Sequence, residues 1–368
     1  MHTTRDRRIL IVGSRPHHAR YMKRYRFCAE RVFPDAEIRF FAPANALFDN
    51  EEAEVERISG LLPLCETELK SRRWDLVIHT IHAWEMEVAS GFRLYLGHGI
   101  DKGRTLQGPR SPYDTMPIVN SHSPYDLVAC KSGQEIERAL KLRPDLQGKL
   151  VLVGDPMADD LIEGDAHRQA FRAKFGFGPE DTAIGLFSSW GELSCFEKWA
   201  ELLKSRRDDR SLRFILFLHP NDLLRKNQRR DFRELESSLE DRGVILVPPN
   251  EEFYPYMCTC DAAIAGDTAM TLYFSLLLRP LFYCGAYSSS GVSGSPLSEI
   301  ARFAPRIDPF SLPDLEAVRR LMRDYPIETL RNFRGKILTR PGRGYEDLRR
   351  LFRTVEDRAD RWMNEPRV

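Results

Sequence analysis

The sequence predicts an α/β protein of doubly wound parallel sheets arranged in two domains, and three observations carry that prediction. Short apolar, β-branched runs recur along the whole chain with helix-like segments between them. Each run is apolar throughout and polar only at its ends, the pattern of a strand covered by helices on both faces. The length, 368 residues with 42% hydrophobic and 30% charged, is enough to bury two separate cores.

Taken in order, the first half offers strands at RRILIVG, AEIRFFAP, WDLVIHT, FRLYLGH, YDLVACKS and KLVLVGD. The second half offers TAIGLFSS, LRFILFLHP, GVILVPP, DAAIAGD and RPLFYCG. Strand signals stop near Asp155 and restart near Thr182, across the charged stretch ADDLIEGDAHRQAFRAKFGFGPED. The expected division is therefore an N-terminal domain over 1–160, a connection over 161–180 and a C-terminal domain over 181–345. FYPYMCTC precedes DAAIAGD, and TAMTLYFSLLL precedes RPLFYCG as a helix for which Asp267 or Thr268 supplies the N-cap. From 346 to 368, apolar Leu348, Leu351, Phe352 and Val355 among charges predict an amphipathic helix packing back across the domains.

Composition excludes several classes. A net charge of +1, from 55 Lys+Arg against 54 Asp+Glu, gives no reason to expect a nucleic-acid partner. The apolar stretch Ile9 to Val12 is far too short for a signal or spanning segment, so a cytoplasmic location is expected. The seven cysteines show no C-x-x-C spacing, which predicts small buried hydrophobes rather than a zinc ribbon or disulfide framework. Cys258 and Cys260 are discounted as a chelating pair, and neither a metal nor a cofactor is expected. P-loop, H-E-x-x-H and G-x-S-x-G motifs are absent, which removes the common kinase, zinc-hydrolase and serine-hydrolase readings.

Ligands in doubly wound sheets bind at the carboxyl ends of strands, so residues that follow strands are the candidates. Gly97-His98-Gly99 follows FRLYL; its glycines permit close backbone approach and its imidazole is a candidate general base, against a turn-capping role of equal weight. Leu218-His219-Pro220 follows LRFILF and aims His219 beside a helix start suited to anions. Gly266-Asp267-Thr268-Ala269-Met270-Thr271 forms a strand-to-helix turn in which Thr268 and Thr271 are candidate phosphate contacts. Asp267 caps that helix or binds a ribose hydroxyl. Trp190, after AIGLF, is a candidate wall for a nucleotide base, against a half-buried core role of equal weight. Gly13 to Arg20, which holds His17 and His18, lacks the dinucleotide fingerprint and reads as a solvated basic loop, and Gly154-Asp155-Pro156 reads as a hinge turn.

The order of these motifs is more specific than any one of them. A strand ending in His98 with Lys102 nearby is followed by Tyr125-Asp126-Leu127-Val128 with Ser132, then by Gly154-Asp155-Pro156 with Asp159 and Leu161. His219-Pro220, the run Asp261 to Asp267 and Arg279-Pro280 with Phe282-Tyr283 complete the set. Across 93–285 this resembles the CDP-glycerol glycerophosphotransferase family, the teichoic-acid and capsule polymerases of GT-B fold. The resemblance implies two Rossmann-like domains facing a cleft, with His98 as the base that deprotonates an acceptor hydroxyl. It further implies that His219, Lys102 and the Gly266 to Thr271 turn hold the phosphates of a CDP-activated donor. The acceptor would be a glycan or lipid-linked hydroxyl, in peripheral contact with the inner face of the plasma membrane through Arg-rich segments at 168–177 and 348–361.

Two departures bear on the donor: Ala269 stands where the family carries a serine, and the acidic Asp101 precedes Lys102, which lies one residue closer to His98. The alternatives are an inverting GT-B glycosyltransferase using an NDP- or CMP-sugar, a UDP-sugar 2-epimerase using Asp101 or Asp126 as carboxylates, and a non-catalytic assembly partner.

Overall fold

The computed structural model describes residues 7–13, 16–42, 51–81, 90–100, 125–189, 194–205, 211–219, 232–240, 242–248, 251–285, 296–308 and 315–364. The chain divides into two compact units, one of 1–99, 115–159 and 338–368, the other of 100–114 and 160–337.

Unit 1 holds a seven-stranded sheet of order β3-β2-β1-β4-β5-β6-β7. Its strands are β1 (Arg8–Val12), β2 (Glu37–Phe41), β3 (Leu62–Pro63), β4 (Leu76–His79), β5 (Phe92–Tyr95), β6 (Leu127–Cys130) and β7 (Leu150–Leu152). All pairings are parallel, with Ile11 opposite Phe40 on one side and Ile78 on the other. β1, β4 and β6 are almost wholly buried, which is why their sequences read as continuous apolar runs. The two-residue β3 carries too little sequence to be legible and appears only in the structure.

Unit 2 holds a five-stranded parallel sheet of order β10-β9-β8-β11-β12. These are β8 (Thr182–Phe187), β9 (Leu212–Phe217), β10 (Val244–Val247), β11 (Ala262–Ala265) and β12 (Leu281–Tyr283). Every predicted strand is present, because a buried parallel strand announces itself by apolar run length alone.

The segments between and after the sheets differ from expectation. The 161–180 stretch, read as a connection, is largely helical (Pro156–Asp165 and Arg168–Lys174) and belongs to unit 2 from residue 160. Arg172 is buried there and donates to Asp261 Oδ2 at 3.0 Å; Arg168 pairs with the same carboxylate. Asp261 Oδ2 also accepts from the Ala183 N–H at 2.7 Å, tying the start of β11 to β8.

The C-terminal helix Gly344–Asn364 belongs to unit 1. Leu348, Leu351, Phe352 and Val355 are buried, and the rings of Phe352 and Phe33 sit 6.5 Å apart beside the helix Pro16–Val32. Burying each of these side chains is worth roughly 1.5–3 kcal/mol. The apolar residues of this helix are therefore buried in the core of unit 1, and Arg168 and Arg172 both pair with Asp261. Among the described residues no helix is long and apolar enough to cross a membrane.

Gly154 is a clamp rather than a hinge. A Cβ there would lie 2.7 Å from Gly344 N and 2.9 Å from Arg340 O, so two backbones touch where only glycine fits. Asp155 accepts from the Met157 and Ala158 N–H groups at 2.9 and 3.1 Å, and Asp347 accepts from Gly154 N–H at 3.0 Å. The cysteines are all free; Cys65 is exposed, against expectation, and the others are buried as expected.

Candidate functional site

In unit 1 the carboxyl ends of the adjacent strands β1, β4 and β5 bring three segments together. β5 ends at Tyr95, and the chain turns through Gly97 at φ +72° and Gly99 at φ +135°, the region that favours glycine. Leu96 and Gly97 donate their N–H groups to His79 O at 3.0 and 3.1 Å, which extends the ladder one step beyond the strand. The buried Tyr25 hydroxyl, from the helix Pro16–Val32, donates to Gly97 O at 2.8 Å. These bonds aim the half-buried His98 at Thr80, which follows β4.

His98 Nδ1 lies 2.6 Å from Thr80 O. A carbonyl only accepts, so Nδ1 carries the proton, and in the neutral ring Nε2 is the basic nitrogen. Thr80 is itself fixed, its N–H and hydroxyl both donating to Val12 O at 3.0 and 2.8 Å. The chain from β1 through Thr80 to His98 sets tautomer and ring direction together.

The Gly13 to Arg20 segment corrects the solvated-loop reading. The helix begins at Pro16, His18 and Arg20 are buried, and the His18 ring centroid lies 4.3 Å from that of His98. His17 stands 4.1 Å from His18 and 6.0 Å from His98 by the same measure. The signal was there: a His-His pair directly after the first strand belongs to the same carboxyl edge as a histidine after β5, because β1, β4 and β5 are neighbours.

In unit 2 the turn after β11 is held by its own hydroxyls and by groups on β8, its exit and β12. Thr268, with φ −136° and ψ 152°, is the N-cap of the helix Ala269–Ser275, its hydroxyl accepting from Met270 N–H at 3.4 Å. Thr271 is fully buried and its hydroxyl donates to Gly266 O at 2.7 Å, so it holds the turn from beneath rather than lining it. Asp267 does not cap the helix; its buried carboxylate accepts from the Tyr283 hydroxyl, and Ser189 Oγ donates to Asp267 O at 3.0 Å. Gly266 N–H donates to Phe187 O at 2.9 Å. A side chain at Gly266 would meet only ordinary contacts, 3.7 Å or longer, so packing within the unit does not itself require a glycine there.

His219 follows β9 and is half-buried. β9 and β11 flank β8 in a parallel sheet, so His219, Ser188-Ser189 and the Gly266 to Thr268 turn share one carboxyl edge about 5 Å apart per strand. Arg279 is structural: its guanidinium donates to Cys258 O and Cys260 O at 2.6 Å each and pairs with Asp165. Lys102, Asp101 and Trp190 lie outside the described residues.

Asp126 is placed away from His98. Its carboxylate accepts from Arg93 N–H at 2.7 Å, near the amino end of β5, whereas His98 follows the carboxyl end.

No known family profile matches the chain, and no curated protein matches it in sequence. Solved structures do match in fold. The wall teichoic acid polymerase TagF superposes with a TM-score of 0.63 at 12% identity, over 99% of this chain and 92% of that one. The UDP-GlcNAc 2-epimerase of Neisseria meningitidis, bound to UDP-GlcNAc, gives 0.55 at 12% identity over 96% and 100%. The HepE protein of Anabaena, in complex with UDP and glucose, gives 0.53 at 12% identity over 96% and 100%. The fold class is α/β, of the GT-B type, with a doubly wound parallel sheet in each unit.

Proposed function

We propose that this chain is a transferase of the CDP-glycerol glycerophosphotransferase type, moving a polyol phosphate from a CDP-activated donor to a hydroxyl of a glycan or lipid-linked acceptor. The observation that carries the reading is the fixed tautomer of His98. With Nδ1–H committed to Thr80 O at 2.6 Å, Nε2 is the nitrogen that accepts a proton.

The reaction is a single displacement. The acceptor O–H gives its proton to His98 Nε2 while its oxygen attacks the donor's β-phosphorus; the bond from that phosphorus to CMP breaks, and CMP leaves. Such transfer depends mostly on positioning and charge stabilisation. His219, Lys102 and the turn Gly266 to Thr271 at the start of the helix Ala269–Ser275 are assigned to the donor phosphates, and Trp190 to the base. Thr271 and Asp267 act through the turn, holding it from Gly266 O and Tyr283. TagF, whose fold this chain shares, is named as a wall teichoic acid polymerase, which agrees with this class of donor and product.

A second reading, an inverting glycosyltransferase with a nucleotide-sugar donor, is favoured by the fold of HepE, whose structure holds UDP and glucose. The epimerase reading loses support because Asp126 sits at the opposite end of β5 from His98. Calorimetric titration with CDP-glycerol, CDP-ribitol, UDP-sugars and CMP-sugars separates these. Binding confined to a CDP-alcohol is the expected result, and binding of UDP-sugars alone would sink the phosphotransferase reading. Flotation with anionic vesicles tests attachment at the inner membrane face; protein that stays wholly in the soluble fraction argues against it.

A further inference from the structure

The three histidines at the carboxyl edge of the unit 1 sheet do more than frame a base. One ring nitrogen from each of His17, His18 and His98 lies within 4.8 Å of the others. We propose that they form a binding site for a divalent transition metal of the zinc class, with a fourth position open to water or a substrate hydroxyl.

Four features of the geometry support this. Neutral imidazole is the donor that zinc, cobalt, nickel and copper prefer, and the three rings include no hard oxygen ligand that would select magnesium or calcium. Tetrahedral ligation at a zinc–nitrogen distance of 2.0–2.1 Å places nitrogens about 3.3 Å apart, so side-chain rotations that draw the three atoms together by about 1.5 Å complete the site. The His98 Nδ1–H bond to Thr80 O is the arrangement by which a metal-ligating histidine is oriented through its second nitrogen, leaving Nε2 for the metal. His17 and His98 are half-buried, so an ion has a route in, while the buried His18 supplies a ligand held by packing.

Opposing charges set the strength. The positive end of the helix Pro16–Val32 and the buried Arg20, one turn beyond His17, both disfavour a cation. The affinity expected is therefore weaker than that of a closed structural site. A metal on Nε2 takes the lone pair that the proposed base uses, so the two occupancies are mutually exclusive.

The test reads metal binding alone, without donor or acceptor, so it stands or falls independently of the transferase reading. Equilibrium dialysis with Zn²⁺ and titration with Co²⁺, followed by its visible d–d absorption, should show one equivalent per chain. His17→Ala, His18→Ala and His98→Ala should each weaken binding at least about tenfold, whereas His167→Ala, at the N-cap of the helix Arg168–Lys174, should leave it unchanged. Zn²⁺ should also protect the three histidines of the unaltered protein from diethyl pyrocarbonate, read by peptide mass, which needs no variant to fold. No bound metal in the folded protein, binding that all three substitutions leave intact, or equal modification with and without Zn²⁺ would overturn the proposal.

Discussion

The turns after β5 and after β11 occupy equivalent places, each at the carboxyl end of a parallel strand, and they differ in what their own side chains do. The β5 turn is held by residues remote in sequence: Tyr25 on Gly97 O, His79 O on two N–H groups, and Thr80 O on the imidazole. The β11 turn is held from afar too, by Phe187 O, Ser189 Oγ and the Tyr283 hydroxyl, but its own hydroxyls also close it, Thr268 capping Met270 and Thr271 bonded to Gly266. One turn directs a titratable ring; the other uses its hydroxyls to hold itself. The lesson is that a hydroxyl in a phosphate-like turn is not thereby a ligand. Its first duty is to satisfy the carbonyls and N–H groups that the turn leaves over.

Substitutions in the two turns test this contrast. The largest effect belongs to His98→Ala, expected to lower turnover by about 10²–10⁴-fold with donor binding near normal; steady-state rates with calorimetry on the same protein check it, and retained turnover removes His98 from the base role. Gly97→Ala comes next. At φ +72° a Cβ costs about 1–2 kcal/mol, and moving the imidazole by about 1 Å costs up to about 10²-fold in rate. A urea melt and a rate measured together should both move, and an unchanged melt would mean that the turn tolerates the side chain.

For the β11 turn the expected signature is different. Thr271→Val, which keeps the shape and deletes the hydroxyl, should lose about 1 kcal/mol of stability and weaken donor binding modestly with kcat nearly intact. Thr268→Ala should lose about 1 kcal/mol through its cap. If either changed kcat more than KM, the assignment of that turn to binding alone would fail.

A smaller effect concerns Glu135, buried in unit 1 beside the Lys131 N–H, which it accepts at 2.6 Å. Burial pushes its carboxyl from an ordinary 4.5 up to about 7. A raised acid favours the folded state in its protonated form, so its contribution is present below 4.5 and is lost as pH rises through about 7. Glu135→Gln should flatten that loss, so urea midpoints of the two proteins should diverge toward the variant on the alkaline side of the window. A constant difference across it would mean that Glu135 is not the titrating group.

Every strand except β3 is legible in the sequence alone, as are the positions of His98, His219 and the Gly266 turn at strand ends. Buried parallel strands are legible as uninterrupted apolar runs, and strand ends are where such sheets bind ligands. It did not reveal that Thr271 faces inward, that Asp267 serves Tyr283 rather than a helix cap, or that Gly154 is pressed against Gly344. Nor did it bring His17 and His18 to His98, since adjacency of β1, β4 and β5 is a property of strand order. A linear pattern records which residues are buried and how often; which side chains meet is decided only when crossovers place distant strand ends side by side.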